Sequence, residues 1–547
     1  LNAFNKGQAP APYNKIGIGG LQIEVVYVDE AGGATKQVQE LRNLYERDKV
    51  DVVVGYVGSG DCLAVAPVAE ELKKFLILYD CGTPRIFEEN NFKYVFRTAS
   101  HAAMDNVSMV RYLKARKIPV NVYSMINQDY AWGQDAKPTD YVDVPASFMG
   151  IRRADGRVAT RNYIGIITSV NCSAHVAELI ARQFEKNPIT GDDPLSPWAN
   201  VDGVVALTHK TGCGMTMDEP LRLLRRTLAG FARHANFSHV IAIGLGCEVN
   251  QLAPMLEEQR LTGRLRSMDI QDSGARATVM KGIDFVKEVL TESNTAKREA
   301  VPASELCVAL QCGGSDGYSG ITANPALGAA SDLLVRHGGT VILSDSPETY
   351  GAEHLLTRRA TSREVGQKLV DVMHWWEDYT ARQGAEMNAN PSPGNKAGGL
   401  TTILEKSLGA MAKAGTTNLV DVYRYAEPVT AKGFVFMDTP GYDPVGATGQ
   451  VAGGANLVCF TTGRGSVFGM KPAPSIKLAT NTTMYDRLAE DMDINCGTVL
   501  TGGESVQECG QRIFDLMLRT ASGEPTKSEA LGFGAQEFAP WMLGATM

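Results

Sequence analysis

The chain lacks several things whose absence narrows its function. No apolar run approaches the ~18–20 residues that span a bilayer; the longest, such as residues 75–79 (FLILY), are the length of a strand. The first residues carry no basic stretch followed by an apolar one, so no secretory leader is expected there. There is no excess of basic charge: Lys+Arg 53 against Asp+Glu 61 gives −8. Phosphate backbones call for a basic face, so nucleic acid is not expected as a partner, nor is a membrane. Ten cysteines in 547 residues are too few for a disulfide scaffold. There is no CxxC pair, which sets aside a zinc ribbon or a thioredoxin motif. GxGxxG and GxxxxGK[ST] are missing too, so neither a dinucleotide fingerprint nor a Walker loop is indicated. No repeat of fixed period appears, which argues against a solenoid.

What is present is ordinary globular composition, 44% hydrophobic and 21% charged, and a length that suggests three or four domains. The rhythm is βαβα, which implies parallel sheets. Near the start, residues 21–28, 50–57 and 75–79 read as strands, with helical spacing over 35–47 and 65–74. Ser59, Gly60, Gly82 and Thr83 then fall at carboxyl ends of strands, where ligands of such sheets bind. Two prolines and no periodicity mark 137–147 as a linker, and a second boundary is expected near 292–302. The fold class expected is α/β, with parallel Rossmann-like layers throughout and several domains.

From residue 163 onward the strands share an ending. YIGIITSV (163–170) runs into Cys172, VDGVVAL (201–207) into His209 and Cys213, residues 240–243 into Cys247, and 306–310 into Cys312. Each cysteine sits just past a strand and beside a helix start, where the dipole favours a thiolate. Buried packing explains any one of them. Four in the same topological position point to a soft-metal or redox-sensitive site on one shared face. His209, on a loop, is a better candidate than His175 or the histidines in helical contexts: His101, His234, His239, His337 and His374. Residues 341–344 run into Asp345, Glu348, Glu353 and His354, the mixture that acid–base work or hard-metal binding needs. Residues 433–437 end at Asp438, and 456–460 end at Arg464, suited to bidentate capture of a carboxylate. NPSPGNKAGG (390–399) can hold an anion with backbone N–H groups and Lys396, or serve as a linker.

Two resemblances follow. VDVVVGYVGSG, APVAEE, FRTAS and INQDYAWGQDA make residues 19–136 resemble the first lobe of type-1 periplasmic binding proteins of the branched-chain amino acid and amide class. That resemblance implies ligand contacts at Ser59 and Thr83, but it stops at Ala136, so a fused lobe without transport function, or a cap, is expected. From about 148 to 547 the chain resembles the altronate/galactarate dehydratase family. The motifs are MGIRRADGRVATRNYIGI, SVNCSA, HKTGCG, GLGCEVNQ, LQCGGSDGYSGITANPALG, SPETYGAEHLL, NPSPGNKAGGLTTILEKSLGA, FMDTPGYDP, FTTGRGSVFG and DMDINCG. Asp345 stands where this family leads one to expect Glu. The binding-protein-like fragment occupies the place of the family's small SAF-type domain.

The second resemblance implies domains at 148–297 and 298–547 after the 1–136 lobe and the 137–147 linker. It also implies cytoplasmic sugar-acid catabolism, elimination of water from an aldonate or aldarate (altronate first) and dependence on Fe²⁺. Mn²⁺ or an iron–sulfur centre are the alternatives. A sulfolactate sulfo-lyase large subunit, or an inactive fusion, is the competing reading. A separate SAF-type subunit and a homo-oligomer are the expected partners. The expected catalytic residues are His209 as base or ligand, Glu348 and His354 as acid or ligand, and Lys396 as a charge on the substrate carboxylate. Arg464, Asp438, Asn395, Ser315 and Asp316 are expected to bind substrate, and Cys213, Cys247, Cys312 and Cys172 to bind metal.

Overall fold

The computed structural model describes residues 2–9, 14–16, 20–29, 33–56, 58–79, 81, 83, 85–88, 90–98, 135–187 and 190–543. His101, Gly82 and all but Asp135 and Ala136 of the 126–136 motif lie outside them. The chain divides into two compact units, 1–127 and 128–547.

In the first unit, β1 (Val52–Gly55), β2 (Phe75–Leu78) and β3 (Val95–Arg97) form a parallel sheet in that order. Helices Gly33–Glu46 and Ser59–Leu72 supply its buried apolar side chains. Residues 21–28 do not join the β1-β2-β3 sheet as expected, and most of their side chains stay exposed. Cys62 and Cys81 form a disulfide, and the other eight cysteines are free.

Among the described residues, the second unit holds three sheets. Short strands β4 (Ser147–Arg152) and β5 (Val158–Ala159) pair antiparallel. Strands β6 (Tyr163–Thr168), β7 (Gly203–Leu207), β8 (Phe237–Gly244) and β9 (Arg266–Asp269) form a parallel sheet ordered β7-β6-β8-β9. Strand β10 (Arg298–Pro302) pairs antiparallel with β4. The expected second boundary is therefore partly a strand. It reads as polar because it lies at an edge, with only Val301 buried.

The large sheet is parallel and seven-stranded. It comprises β11 (Cys307–Cys312), β12 (Thr340–Leu343), β13 (Leu419–Tyr423), β14 (Gly433–Met437), β15 (Leu457–Thr462), β16 (Ser475–Ala479) and β17 (Ile494–Asn495). The order is β13-β14-β12-β11-β15-β16-β17. Continuous apolar runs such as GFVFM are buried on both faces, as parallel strands require. The chain leaves β11 toward β12 on one side and returns to β15 on the other, which makes the carboxyl end of β11 a switch point. The same reversal occurs at β6, between β7 and β8.

Helices Ala323–Arg336 and Val506–Ala521 pack on one face of the large sheet. Helix Glu219–Ala232 joins the four-stranded sheet to helix Asp443–Ala452 through a shared apolar cluster. Gly230 permits that approach: a Cβ there would lie 2.3 Å from the Ala452 carbonyl oxygen. Trp376 and Trp541 stack at 5.5 Å in the same cluster. The 137–147 segment is not a free tether. Its backbone is held by Asn418, Arg336 and His337. Among the described residues, no helix is long and apolar enough to cross a membrane.

Candidate active site

β11 ends on Cys312 itself, and the chain then turns through Gly313 and Gly314. β12 ends one residue before Ser344-Asp345, and Asp345 adopts φ +67°. Left-handed backbone in a non-glycine residue is uncommon and concentrates at functional sites. The Thr439 hydroxyl, at the end of β14, accepts from the Asp345 backbone N–H at 2.9 Å and fixes the turn. Ser346–Glu348 then forms one helical turn that aims Glu348 inward.

Cys312 Sγ and carboxylate oxygens of Asp345 and Glu348 converge within 4.8 Å of one another, all buried. Two lysines complete the cluster, both from the 400–414 segment. Lys406 Nζ donates to Glu348 Oε1 at 2.6 Å and to Asn390 Oδ1 at 3.0 Å. Lys413 Nζ donates to Cys312 Sγ at 2.9 Å and lies 3.7 Å from Asp345 Oδ2. Asn390 Nδ2 donates to the same Glu348 oxygen at 3.0 Å. Asp443, at the start of its helix, lies against Gly313, where a Cβ would be 2.0 Å from Asp443 Oδ2. It is the one carboxylate of the three that is partly exposed.

Charges this close in a dry site reset one another. Burial pushes the Cys312 thiol up to about 12, against the pull of Lys413. Burial also raises Asp345, to about 6, again against Lys413. Burial would raise Glu348 as well, but Lys406 and Lys413 outweigh it and hold the carboxylate below its usual range. Burial, with Asp345 and Glu348 nearby, holds Asp443 well above the carboxylate range. Burial opposes the charge on both lysines, yet their negative neighbours keep both raised.

The donor set suits a borderline divalent ion: one thiol and two carboxylates. Asp345 Oδ2 is buried without a hydrogen-bond partner, as an oxygen reserved for a cation would be. These residues fit a metal.

The sequence expected four cysteines on one face. The structure divides them between two sheets: Cys312 in the large one, and Cys172, Cys213 and Cys247 beyond β6, β7 and β8. Each sheet has its own switch point, which strand counting along the chain does not separate.

Glu348 lies in the cluster, and Asn395 lies at its edge. Asn395 accepts from Lys406 at 3.4 Å and donates to the Ser315 carbonyl at 3.0 Å. Ser315 and Asp316 line a cavity of about 260 Å³ together with Lys406. The Asp316 carboxylate there accepts from Thr480, Asn481 and Ser319. Asp438 accepts from Ser346 at 2.6 Å and Trp376 at 2.8 Å, so its Oδ1 anchors the turn before Glu348. His209 is buried against the Thr168 carbonyl at 2.8 Å, and Thr211 N–H reaches its other nitrogen. Burial lowers its pKa to about 4. His354 is half-buried, with an unpartnered Nε2. Lys396 and Arg464 are exposed. The sequence reading left Lys406, Lys413 and Asp443 out of the site. A lysine inside an apolar helical pattern such as ILEKSLGAM was the available signal.

Residues 303–546 match the family D-galactarate/Altronate dehydratase, C-terminal. Residues 150–294 match D-galactarate dehydratase/Altronate hydrolase, second domain, and 2–143 match a periplasmic binding protein family. Altronate dehydratase of Bacillus subtilis is 33% identical over 506 residues, spanning 92% of this chain and 99% of that protein. Galactarate dehydratase (L-threo-forming) of Escherichia coli is 42% identical over 393 residues, 69% of this chain and 73% of that protein. The (2R)-sulfolactate sulfo-lyase subunit beta of Chromohalobacter salexigens is 32% identical over 390 residues, 71% and 95%.

Proposed function

This chain belongs to the D-galactarate/altronate dehydratase family, and from that premise we propose that it is a hydro-lyase acting on a sugar acid, altronate foremost. The product is the 2-keto-3-deoxy acid. The observation that carries this reading is the buried Cys312–Asp345–Glu348 group flanked by Lys406 and Lys413. The match to altronate dehydratase over 99% of that protein's length supports altronate.

Elimination removes a proton from C2 and hydroxide from C3. The C2 proton is weakly acidic, and its loss builds charge on the adjoining carboxylate. Cys312, Asp345 and Glu348 would hold a divalent ion, Fe²⁺ foremost, which when bound supplies a Lewis acid for that charge. Lys406 borders the 260 Å³ cavity and carries a fixed positive charge toward it, a place for the substrate carboxylate. Asp443, beside Gly313 and held protonated by burial and by Asp345 and Glu348, gives its proton to the departing C3 hydroxyl and takes up the C2 proton in exchange, so that one carboxyl group balances the loss of water. Arg464 and Lys396, both exposed, bind the outer carboxylate or hydroxyls of the substrate. The exposed thiols of Cys172, Cys213 and Cys247 favour a reducing compartment, the cytoplasm, for the dehydratase part, while the Cys62–Cys81 disulfide of the first unit is the feature that favours an oxidising one. The 1–136 segment is a fused lobe, and 148–297 and 298–547 are the two dehydratase domains.

The test is to purify the full chain anaerobically, add Fe²⁺ or Mn²⁺, and follow 2-keto-3-deoxy acid from altronate and galactarate. Sulfite released from sulfolactate instead would favour a second reading, a sulfo-lyase, which rests on the match to the sulfo-lyase subunit. In that case a separate small SAF-type subunit is the partner to seek.

A further inference from the structure

We propose that Cys172, Cys213 and Cys247 bind a four-iron iron–sulfur cluster through three thiolates, leaving one iron without a protein ligand. The site is separate from the Cys312 group and stands whether or not the dehydratase reading does.

The three cysteines follow three neighbouring parallel strands, β7-β6-β8, at that sheet's switch point. Their loops are tied to one another beside each cysteine. Asn171 N–H donates to the Thr211 carbonyl at 3.0 Å, Val249 N–H to the Cys213 carbonyl at 3.0 Å, and Asn250 N–H to the Gly212 carbonyl at 3.1 Å. Asn250 Nδ2 also donates to the Ser169 carbonyl at 3.0 Å. Buried Glu248 accepts from Ser169 and from Leu245 and Gly246 N–H, which fixes the turn carrying Cys247. Three loops held this firmly are not loose surface turns.

All three thiols are exposed, so packing does not account for them. The Cys172 side chain reaches Cys213 and has Cys247 in electrostatic range. Yet among the described residues, the only group of three metal-binding side chains drawn within 4.8 Å is the Cys312 one. A single tetrahedral ion with bonds of ~2.3 Å to sulfur would need its thiolates closer than this more open triangle provides. Thiolate-only, wider-set ligands suit a sulfide-bridged cluster. Gln271 Nε2 already donates to Cys247 Sγ at 3.1 Å, the kind of bond that tunes such centres. On binding, each thiol releases its proton to solvent as its sulfur bonds one iron, with no change in oxidation state. The remaining iron offers a position for an oxygen donor such as water or a hydroxy acid.

The experiment is anaerobic reconstitution of the full chain with Fe²⁺ and sulfide. We expect about four irons and about four acid-labile sulfides per chain, with broad visible absorption. Cys213→Ser and the pair Cys172→Ser/Cys247→Ser should lose the labile sulfide and the absorption while keeping wild-type circular dichroism. Cys312→Ala should keep both signals. Iron without labile sulfide overturns the proposal, as does absorption that survives the serine variants or is lost only with Cys312. These readouts do not depend on turnover, so failure of the sugar-acid assay leaves them interpretable.

Discussion

Lys406 and Glu348 form an ion pair of 2.6 Å with side chains only 8% and 3% exposed. Breaking one side of a buried pair leaves a bare charge and costs ~3–5 kcal/mol. Glu348→Gln should therefore lower both stability and kcat, the latter by 100-fold or more if Glu348 holds the metal. Lys406→Met in the same chain should recover part of the stability but none of the activity. Denaturant titrations of both single variants and the double variant check the coupling; strict additivity would contradict it.

The Cys312, Asp345 and Glu348 site predicts metal dependence. Chelation should abolish turnover, and readdition of Fe²⁺ should restore it. Asp345→Asn keeps the size of the side chain but removes the charge on Oδ2, which has no hydrogen-bond partner and only the Lys413 ammonium at 3.7 Å. It should raise the metal concentration needed for half-maximal activity by tenfold or more. An unchanged requirement would place the ion elsewhere.

Arg464 lies past β15, exposed, with its Cβ 3.3 Å from where a Cβ on Gly314 would be. If it clamps a substrate carboxylate in two-pronged fashion, Arg464→Lys should raise KM about tenfold with kcat nearly kept. An unchanged KM removes it from the pocket.

His234 predicts an acid-labile fold. It is buried between the Ala455 carbonyl at 3.0 Å and the Asn236 N–H at 3.1 Å, and burial lowers its pKa from 6.5 to about 4. Below pH 6.5 the unfolded chain takes a proton that the folded chain refuses, so stability falls as pH drops from 6.5 and levels off below about 4. The loss at the low end is roughly 3 kcal/mol. His234→Gln should flatten that part of the stability curve relative to wild type; parallel curves would contradict it.

Gly212 has φ +100°, and a Cβ there would meet the Ser169 carbonyl oxygen at 2.3 Å. Gly212→Ala should cost ~2 kcal/mol or more and loosen the loop that carries Cys213. Thermal unfolding measures the cost, and thiol-labelling rates measure the loosening.

Local patterns in the sequence determine a good deal. Apolar runs such as YIGIIT and GFVFM, short, rich in β-branched and aromatic residues and bounded by turn signals, are buried on both faces of parallel sheets. The endings of the runs at 306–310 and 341–344 placed Cys312, Asp345 and Glu348 at carboxyl ends in advance, since alternation of strand and helix fixes which end each loop occupies. Residues 21–28 show the limit: a strand-like run lies outside the sheet formed by the described strands, with most of its side chains exposed. The 298–302 strand shows the converse, because an edge strand half in water carries no apolar signature.

What the tertiary structure alone decided is which strand ends meet. Four cysteines equivalent along the chain are divided three and one because the chain builds two parallel sheets, each reversing direction about its own central strand. Lys406 and Lys413 enter the site from a segment about 60 to 100 residues beyond Glu348 and Cys312 in the chain, and no local spacing encodes that approach. His209 looked like a reactive loop histidine, but packing closed both its nitrogens against backbone. Sequence periodicity reports burial and direction, which are local consequences of side-chain chemistry. Convergence of charges depends on the order in which strands pair, and that is settled only when the whole core closes.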